Sequence, residues 1–302
     1  MSSPTSELHV GQMQTATLGD LVAAGAARLA AAGIEEPERE AWLLLAHVIG
    51  GDWPALRLRR AEEPALAAQQ AFAALVAPRA RREPLAYIIG ETEFMGLKVK
   101  CRPGVFIPRP ETEVLVECVL GYVRQWPPVV AADVGCGTGS IACALAHFLP
   151  QAQVEAIDPS PAAVELTREN ASALRLSEQV RCRQGRFLEP LALDERSALN
   201  CVVCNPPYVA RSEFAALQPE VLAEPRPALD GGDDGLDFYR AFLPRLAEVG
   251  GERLLAAFEV GQGQAQVVER MLAQVARFTW TEIRRDCADI ERIVLAGTEG
   301  TG

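Results

Sequence analysis

Hydrophobic positions change their period along this chain. From Leu18 to about Ala80 they recur at helical spacing, as in Leu21, Gly25, Leu29 and in Ala41, Leu44, Leu45, Val48, within a background rich in Ala, Leu, Arg and Glu. Breaks at Gly33, Gly50-Gly51 and Pro64 divide that stretch into four or five short helices. From Tyr87 to Ile107 the pieces are β-prone instead: Tyr87-Ile88-Ile89, Phe94, Leu97-Lys98-Val99-Lys100 and Val105-Phe106-Ile107, split by Gly90, Gly96 and Gly104. They predict a hairpin linker. After Pro108 a helix from about Thr112 to Gln125 leads into a strand at 129–134, with further strands expected at 154–158, 180–184, 199–204, 253–260, 278–284 and 291–296. Such alternation predicts a parallel sheet covered by helices. Residues 1–16 are polar and mixed and read as a tail. The pattern thus gives a helical domain over 1–84, a hairpin linker over 85–108 and an α/β domain over 109–302.

The first strand of the α/β part carries the first chemical signal. Val129 to Ala132 runs into Asp133-Val134-Gly135-Cys136-Gly137-Thr138-Gly139-Ser140, and a helical stretch follows from Ile141 to Phe148. Strand, glycine turn and helix form a unit that lets backbone approach a nucleotide closely. A dinucleotide fingerprint would need its third glycine at position 140, which is Ser140, so a NAD site is disfavoured. The next strand ends in Asp158, roughly 20 residues past the turn, where a carboxylate can accept both hydroxyls of a ribose. Asp158-Pro159-Ser160-Pro161 also suits a helix start, and the two roles are compatible.

The second signal is Asn205-Pro206-Pro207-Tyr208, behind the apolar run Leu199 to Cys204. Each proline fixes its own φ and extends the residue before it, so the carbonyls of Asn205 and Pro206 have little freedom. The Asn205 side-chain oxygen and the Pro206 carbonyl can hold both hydrogens of one NH₂ group, with the Tyr208 ring over its flat face. Taken alone, the tetrapeptide reads first as a proline-rich turn after a strand.

Composition narrows the partner. A net charge of −11 argues against tight binding along a phosphate backbone, and a basic protein partner fits better. The apolar stretch Ala41 to Ile49 is far below the roughly 18 residues of a membrane span, and no leader with a charged n-region precedes it, so a cytoplasmic protein is expected. Eight cysteines without a secretion signal read as reduced, buried thiols. Cys201-Val202-Val203-Cys204 has C-x-x-C spacing but no second pair or histidine cluster to complete a metal site, and His9, His47 and His147 are scattered. Neither a metal nor a histidine-activated nucleophile is expected.

The glycine turn, the acidic strand end and N-P-P-Y, in that order, resemble the class I S-adenosylmethionine-dependent methyltransferases that modify planar nitrogens. Arg82 to Gly90, Glu93-Phe94-Met95-Gly96, Ile107-Pro108-Arg109-Pro110-Glu111-Thr112-Glu113 and Glu224 to Leu236 narrow the resemblance to the PrmC/HemK family, the release-factor glutamine N5-methyltransferases. It runs from about Leu18 to Ala296 and is weakest in the first 80 residues.

That resemblance implies a small N-terminal helical bundle, a β-hairpin linker and a seven-stranded, doubly wound, Rossmann-like sheet whose last strand is antiparallel. It implies S-adenosyl-L-methionine as methyl donor, held by Asp133, Gly135, Cys136, Gly137, Thr138, Gly139, Asp158 and Asn205, with Phe187 covering the adenine. Relatives often carry an acidic residue where this chain has Arg186. Asn205, Pro206 and Tyr208 become the catalytic set, and Pro207, Arg109 and Glu111 join them at the substrate mouth. Glu259-Val260-Gly261-Gln262 resembles a late family motif and reads as structural. The acidic run Asp230 to Asp237 is a solvated loop or a receiver for a basic substrate. The expected partner is a peptide chain release factor, bound by a monomer without stable nucleic-acid or membrane binding. A glutamine of a ribosomal protein, a nucleic-acid adenine or a non-catalytic cofactor-binding role are the alternatives.

Overall fold

The structure is a computed structural model that describes residues 16–126 and 128–298. His9 lies outside the described residues. The chain divides between Ile89 and Gly90 into two compact units.

In the first unit α1 (Leu18–Ala31), α2 (Pro37–Ile49), α3 (Trp53–Leu58), α4 (Leu66–Arg79) and α5 (Leu85–Ile89) surround a core built on Leu29, Leu44, Leu45, Leu56 and Phe72. Thr17 and Asp20 start α1 with a reciprocal capping box: the Thr17 hydroxyl oxygen accepts the Asp20 N–H, and the Asp20 carboxylate accepts the Thr17 N–H. Gly25 faces the Phe72 ring so closely that a Cβ there would stand 2.7 Å from it. The segment Tyr87-Ile88-Ile89, expected to be extended, lies on α5. The Pro84 carbonyl accepts the Tyr87 and Ile88 N–H groups, and Ile88 and Ile89 pack on the helical core, which overrides their β preference.

The second unit opens with the antiparallel hairpin β1 (Glu91–Phe94) and β2 (Leu97–Lys100), turned at Met95-Gly96 with φ of +50° and +75°. Phe94, Leu97 and Val99 feed the main core. Val105 to Ile107, expected as a strand, is irregular: the Ile107 N–H donates to the Glu224 carboxylate at 2.9 Å instead of to a neighbouring strand.

A seven-stranded sheet follows, formed by β3 (Val130–Val134), β4 (Gln153–Asp158), β5 (Val180–Gln184), β6 (Cys201–Cys204), β7 (Leu255–Glu259), β8 (Trp280–Arg285) and β9 (Glu291–Gly297). Its order is β5-β4-β3-β6-β7-β9-β8, with β9 antiparallel to both neighbours and the pairs from β5 to β7 parallel. The helices of this unit are α6 (Pro110–Val123), α7 (Ser140–Phe148), α8 (Pro161–Ala173), α9 (Leu193–Ala198), α10 (Pro219–Leu222), α11 (Asp237–Phe242) and α12 (Ala265–Ala273). One core layer joins α6 and α7 to the sheet; the other joins α11 and α12 to it. Side chains alternate along β6, so Cys201 enters the first layer and Cys204 the second. Thiols on opposite faces of a sheet cannot share a metal ion. Strand order reverses between β3 and β6, which opens a crevice beyond their carboxyl ends.

Candidate active site

At that switch point lies a cavity of about 600 Å³, and the separate sequence signals converge on it. Its wall includes Gly135, Cys136, Gly137 and Thr138 of the glycine turn, Asp158 at the end of β4, Phe187 after β5, all of Asn205-Pro206-Pro207-Tyr208, and Arg109. The geometric requirement for a joint site, that the tetrapeptide face the glycine turn, is met.

The glycine turn is held from behind by α8. The Thr167 hydroxyl donates to the Gly137 carbonyl at 3.0 Å, and Asn170 Nδ2 donates to the Thr138 carbonyl at 2.8 Å. A Cβ on Gly139 would meet Thr167 Cγ2 at 2.5 Å, whereas Cβ atoms on Gly135 and Gly137 would meet nothing within 4 Å. Thr167 and Asn170 carry no sequence signal for this role, because their partners on the glycine turn are about thirty residues away in the chain.

Asp158 joins the turn to the next helix. Its Oδ2 accepts the Gly137 N–H at 3.0 Å and its Oδ1 accepts the Ser160 N–H at 2.8 Å. Burial raises its pKa, and these two bonds oppose the rise. Ser160, not Asp158, caps α8, so the strand-end carboxylate keeps lone pairs for a ligand. Asp133 stands apart from the cavity wall: its Oδ2 accepts the Ala142 N–H at 3.0 Å, while its buried Oδ1 has no hydrogen-bond partner among the described residues.

Phe187 has a left-handed backbone (φ +55°) and stacks on Phe242 at 5.2 Å between ring centroids. The Arg186 guanidinium lies 4.6 Å from the Phe187 centroid, so the basic residue at this position is engaged by the ring. Phe187 is therefore both core and wall.

Asn205 and Tyr208 are tied to one buried carboxylate. Asn205 Nδ2 donates to Thr112 Oγ1 at 3.0 Å, Thr112 Oγ1 donates to Glu259 Oε2 at 2.6 Å, and the Tyr208 hydroxyl donates to Glu259 Oε1 at 3.1 Å. Gln264 Nε2 adds a bond to the Tyr208 carbonyl at 2.9 Å. Burial pushes the Tyr208 hydroxyl pKa well up, so it stays protonated and can donate. Neither Asn205 Oδ1 nor the Pro206 carbonyl accepts a bond among the described residues.

The mouth residues separate. Arg109 lines the cavity, but its guanidinium pairs with Glu224, whose side chain is 1% exposed, and it lies over the Phe106 ring. Glu111 is exposed on the first turn of α6 and is not part of the wall, because Thr112 beside it takes the inward position. Phe106 and Phe238, absent from the sequence reading of the site, do line it. Among the described residues, no three His, Cys, Asp or Glu side chains gather as metal ligands do. His47 and His147 are exposed.

Comparison with known proteins decides the family. Residues 20–90 match the PrmC N-terminal domain and residues 96–233 the methyltransferase small domain. The release factor glutamine methyltransferase of Moorella thermoacetica is 41% identical over 280 residues, covering 93% of this chain and 98% of the relative. The chain belongs to the release factor glutamine methyltransferase family. The family member from Geobacter sulfurreducens is likewise 41% identical, over 88% of this chain and 91% of its own length. In fold the enzyme resembles the hMettl16 catalytic domain, with a TM-score of 0.55 at 15% identity over 75% of this chain and 82% of that one. Its methyl donor is S-adenosylmethionine. The site fits that donor: two glycines leave open space, a carboxylate ends β4, and an aromatic wall follows β5. No helix among the described residues is long and apolar enough to cross a membrane.

Proposed function

We propose that this enzyme methylates the side-chain amide nitrogen (N5) of the glutamine in the Gly-Gly-Gln loop of class 1 peptide chain release factors, with Asn205, Pro206 and Tyr208 handling the amide. S-adenosylmethionine supplies, when bound, an electrophilic methyl on a sulfonium. The observation that carries the amide reading is the pair of unengaged oxygens, Asn205 Oδ1 and the Pro206 carbonyl, on the wall that also holds Asp158 and the glycine turn.

A carboxamide nitrogen is a poor nucleophile because its lone pair is delocalised into the carbonyl. Two fixed acceptors that take both of its hydrogens favour a pyramidal nitrogen and stabilise the positive charge that grows there. Tyr208, held at both ends by Glu259 and Gln264, offers a ring face for the amide plane. A methylated amide cation is a strong acid, so its proton leaves without a tuned base, consistent with the exposure of His47 and His147, the histidines among the described residues. Gly135, Gly137, Asp158 and Phe187 are assigned to the donor, and Arg109, paired with Glu224, shapes the mouth.

The test is transfer of labelled methyl to purified release factor, to its Gln→Ala loop variant, to ribosomal proteins and to DNA. Label on the wild-type release factor alone is the expected result. Equal label on the Gln→Ala variant, or label only on another substrate, overturns it.

A further inference from the structure

The late motif Glu259 to Gln262 opens a segment whose two ends, Glu259 and Gln264, do not line the wall, yet both bond to Tyr208 of the tetrapeptide. Glu259 is 1% exposed at the end of β7, and β7 pairs with β6 so that Phe258 stands opposite Cys204, the residue before Asn205. A buried carboxylate at that place is costly unless its oxygens are satisfied. They are satisfied by two hydroxyls, Thr112 on Oε2 and Tyr208 on Oε1.

The direction of these bonds decides which atom of Asn205 is offered to a ligand. The Thr112 hydroxyl gives its one hydrogen to Glu259 Oε2, so its oxygen can then only accept. The amide end that fits is Nδ2, found 3.0 Å away. Oδ1 is left as the end free for the cavity. Burial raises the Glu259 pKa above its ordinary value; the Thr112 and Tyr208 hydroxyls oppose the rise, as does Arg292, whose guanidinium donates to the Val260 carbonyl at 3.1 Å.

We propose that Thr112 and Glu259 are positioning residues that lock the Asn205 amide with its oxygen toward the substrate, so that the site grips N–H donors and disfavours the flipped, donor-presenting rotamer. This rests on the reading of Asn205 as the amide acceptor. Thr112 reaches the cavity wall and Glu259 stands behind it, and neither bonds to the substrate in this scheme. They act through the orientation of Asn205 and, on the other carboxylate oxygen, through Tyr208.

The experiment is a double-mutant cycle on the full-length enzyme with release factor as substrate, reading kcat, KM and the Kd of S-adenosylhomocysteine. Thr112→Val keeps the volume and removes the hydroxyl; loss of one oriented hydrogen bond is expected to lower kcat on the order of tenfold with the Kd unchanged. Thr112→Ser, which returns the hydroxyl, recovers most of that loss. On an Asn205→Ala background Thr112→Val has no further effect, because the group it orients is gone. If Thr112→Val does not fold, Thr112→Ala carries the same comparison. The relay is overturned if Thr112→Val keeps kcat within twofold, if Thr112→Ser is as impaired as Thr112→Val, or if the Thr112 loss persists in full on the Asn205→Ala background. Wild-type turnover by Asn205→Ala alone overturns the amide-acceptor reading itself, a result distinct from failure of the relay.

Discussion

Asp158 Oδ2 accepts the backbone N–H of Gly137 at 3.0 Å, so the carboxylate that ends β4 also sets the height of the glycine turn. Both groups are thereby presented on one wall of the cavity. Removing the side chain takes away a ligand acceptor and a brace together.

Asp158→Ala is therefore expected to weaken S-adenosylhomocysteine binding by about tenfold or more, since a charge-assisted bond contributes roughly 1.5–3 kcal/mol. Asp158→Asn, which keeps one oxygen for a backbone N–H, should fall between Ala and wild type. Isothermal titration of the three proteins checks this; equal affinities would remove the ligand role.

Gly139 and Gly135 should respond differently to alanine although both have left-handed backbones, with φ of +76° and +79°. A Cβ at 139 collides with Thr167 at 2.5 Å, whereas one at 135 enters open space. Gly139→Ala is expected to lower stability by about 3 kcal/mol, strain plus overpacking. Gly135→Ala should lose roughly 1 kcal/mol to strain and mainly weaken cofactor binding. Denaturant melts alongside titration separate the two effects.

Asp133 makes the stability of the cofactor-free enzyme pH-dependent. Burial pushes its carboxyl up to about 7, from an ordinary value of 3.8. Between those values the folded state holds a proton that the unfolded chain has released. Its contribution is thus complete below the unfolded value and is lost as pH rises through about 7, with a limiting slope of about 1.4 kcal/mol per pH unit. Urea unfolding of wild type and Asp133→Asn from pH 5 to 8 should show the wild-type slope flattened in the variant. Parallel profiles would assign the slope to other groups.

Arg109 and Glu224 tie the segment before α6 to the loop after the tetrapeptide. Arg109→Met strands a buried carboxylate, at a cost of about 2 kcal/mol or more once the partial exposure of the arginine is discounted. Glu224→Gln should be milder, because it still offers an acceptor to the Ile107 N–H. Thermal denaturation ranks the variants; a larger loss for Glu224→Gln would reverse the reading of which partner dominates.

Much of the fold was legible in the linear pattern. Each strand expected from 129 onward appears within a few residues of its place, the central β3, β6 and β7 most plainly, because buried parallel strands need continuous apolar runs bounded by turn residues. The errors have local causes. Tyr87 to Ile89 has β-branched residues but folds as α5, where packing on the helical core outweighs propensity. In Val105 to Ile107 the Ile107 N–H bonds to Glu224, more than a hundred residues away, and nothing in the segment announces that partner.

Chemical identity at the site was legible for the same reason that motifs exist: Gly135, Gly137, Asp158 and Asn205-Pro206-Pro207-Tyr208 owe their character to backbone rules acting over a few residues. Which groups brace them was not. Thr112 and Glu259 are separated by 147 positions and meet at 2.6 Å only because α6 and β7 pack together. Glu111, one residue from Thr112, points to solvent, a difference set by helical phase against the sheet. Sequence alone determined which chemistry the chain carries, through local conformation and apolar period; tertiary packing decided which atom of each side chain is free, because hydrogen-bond direction depends on partners that only the folded sheet brings within reach.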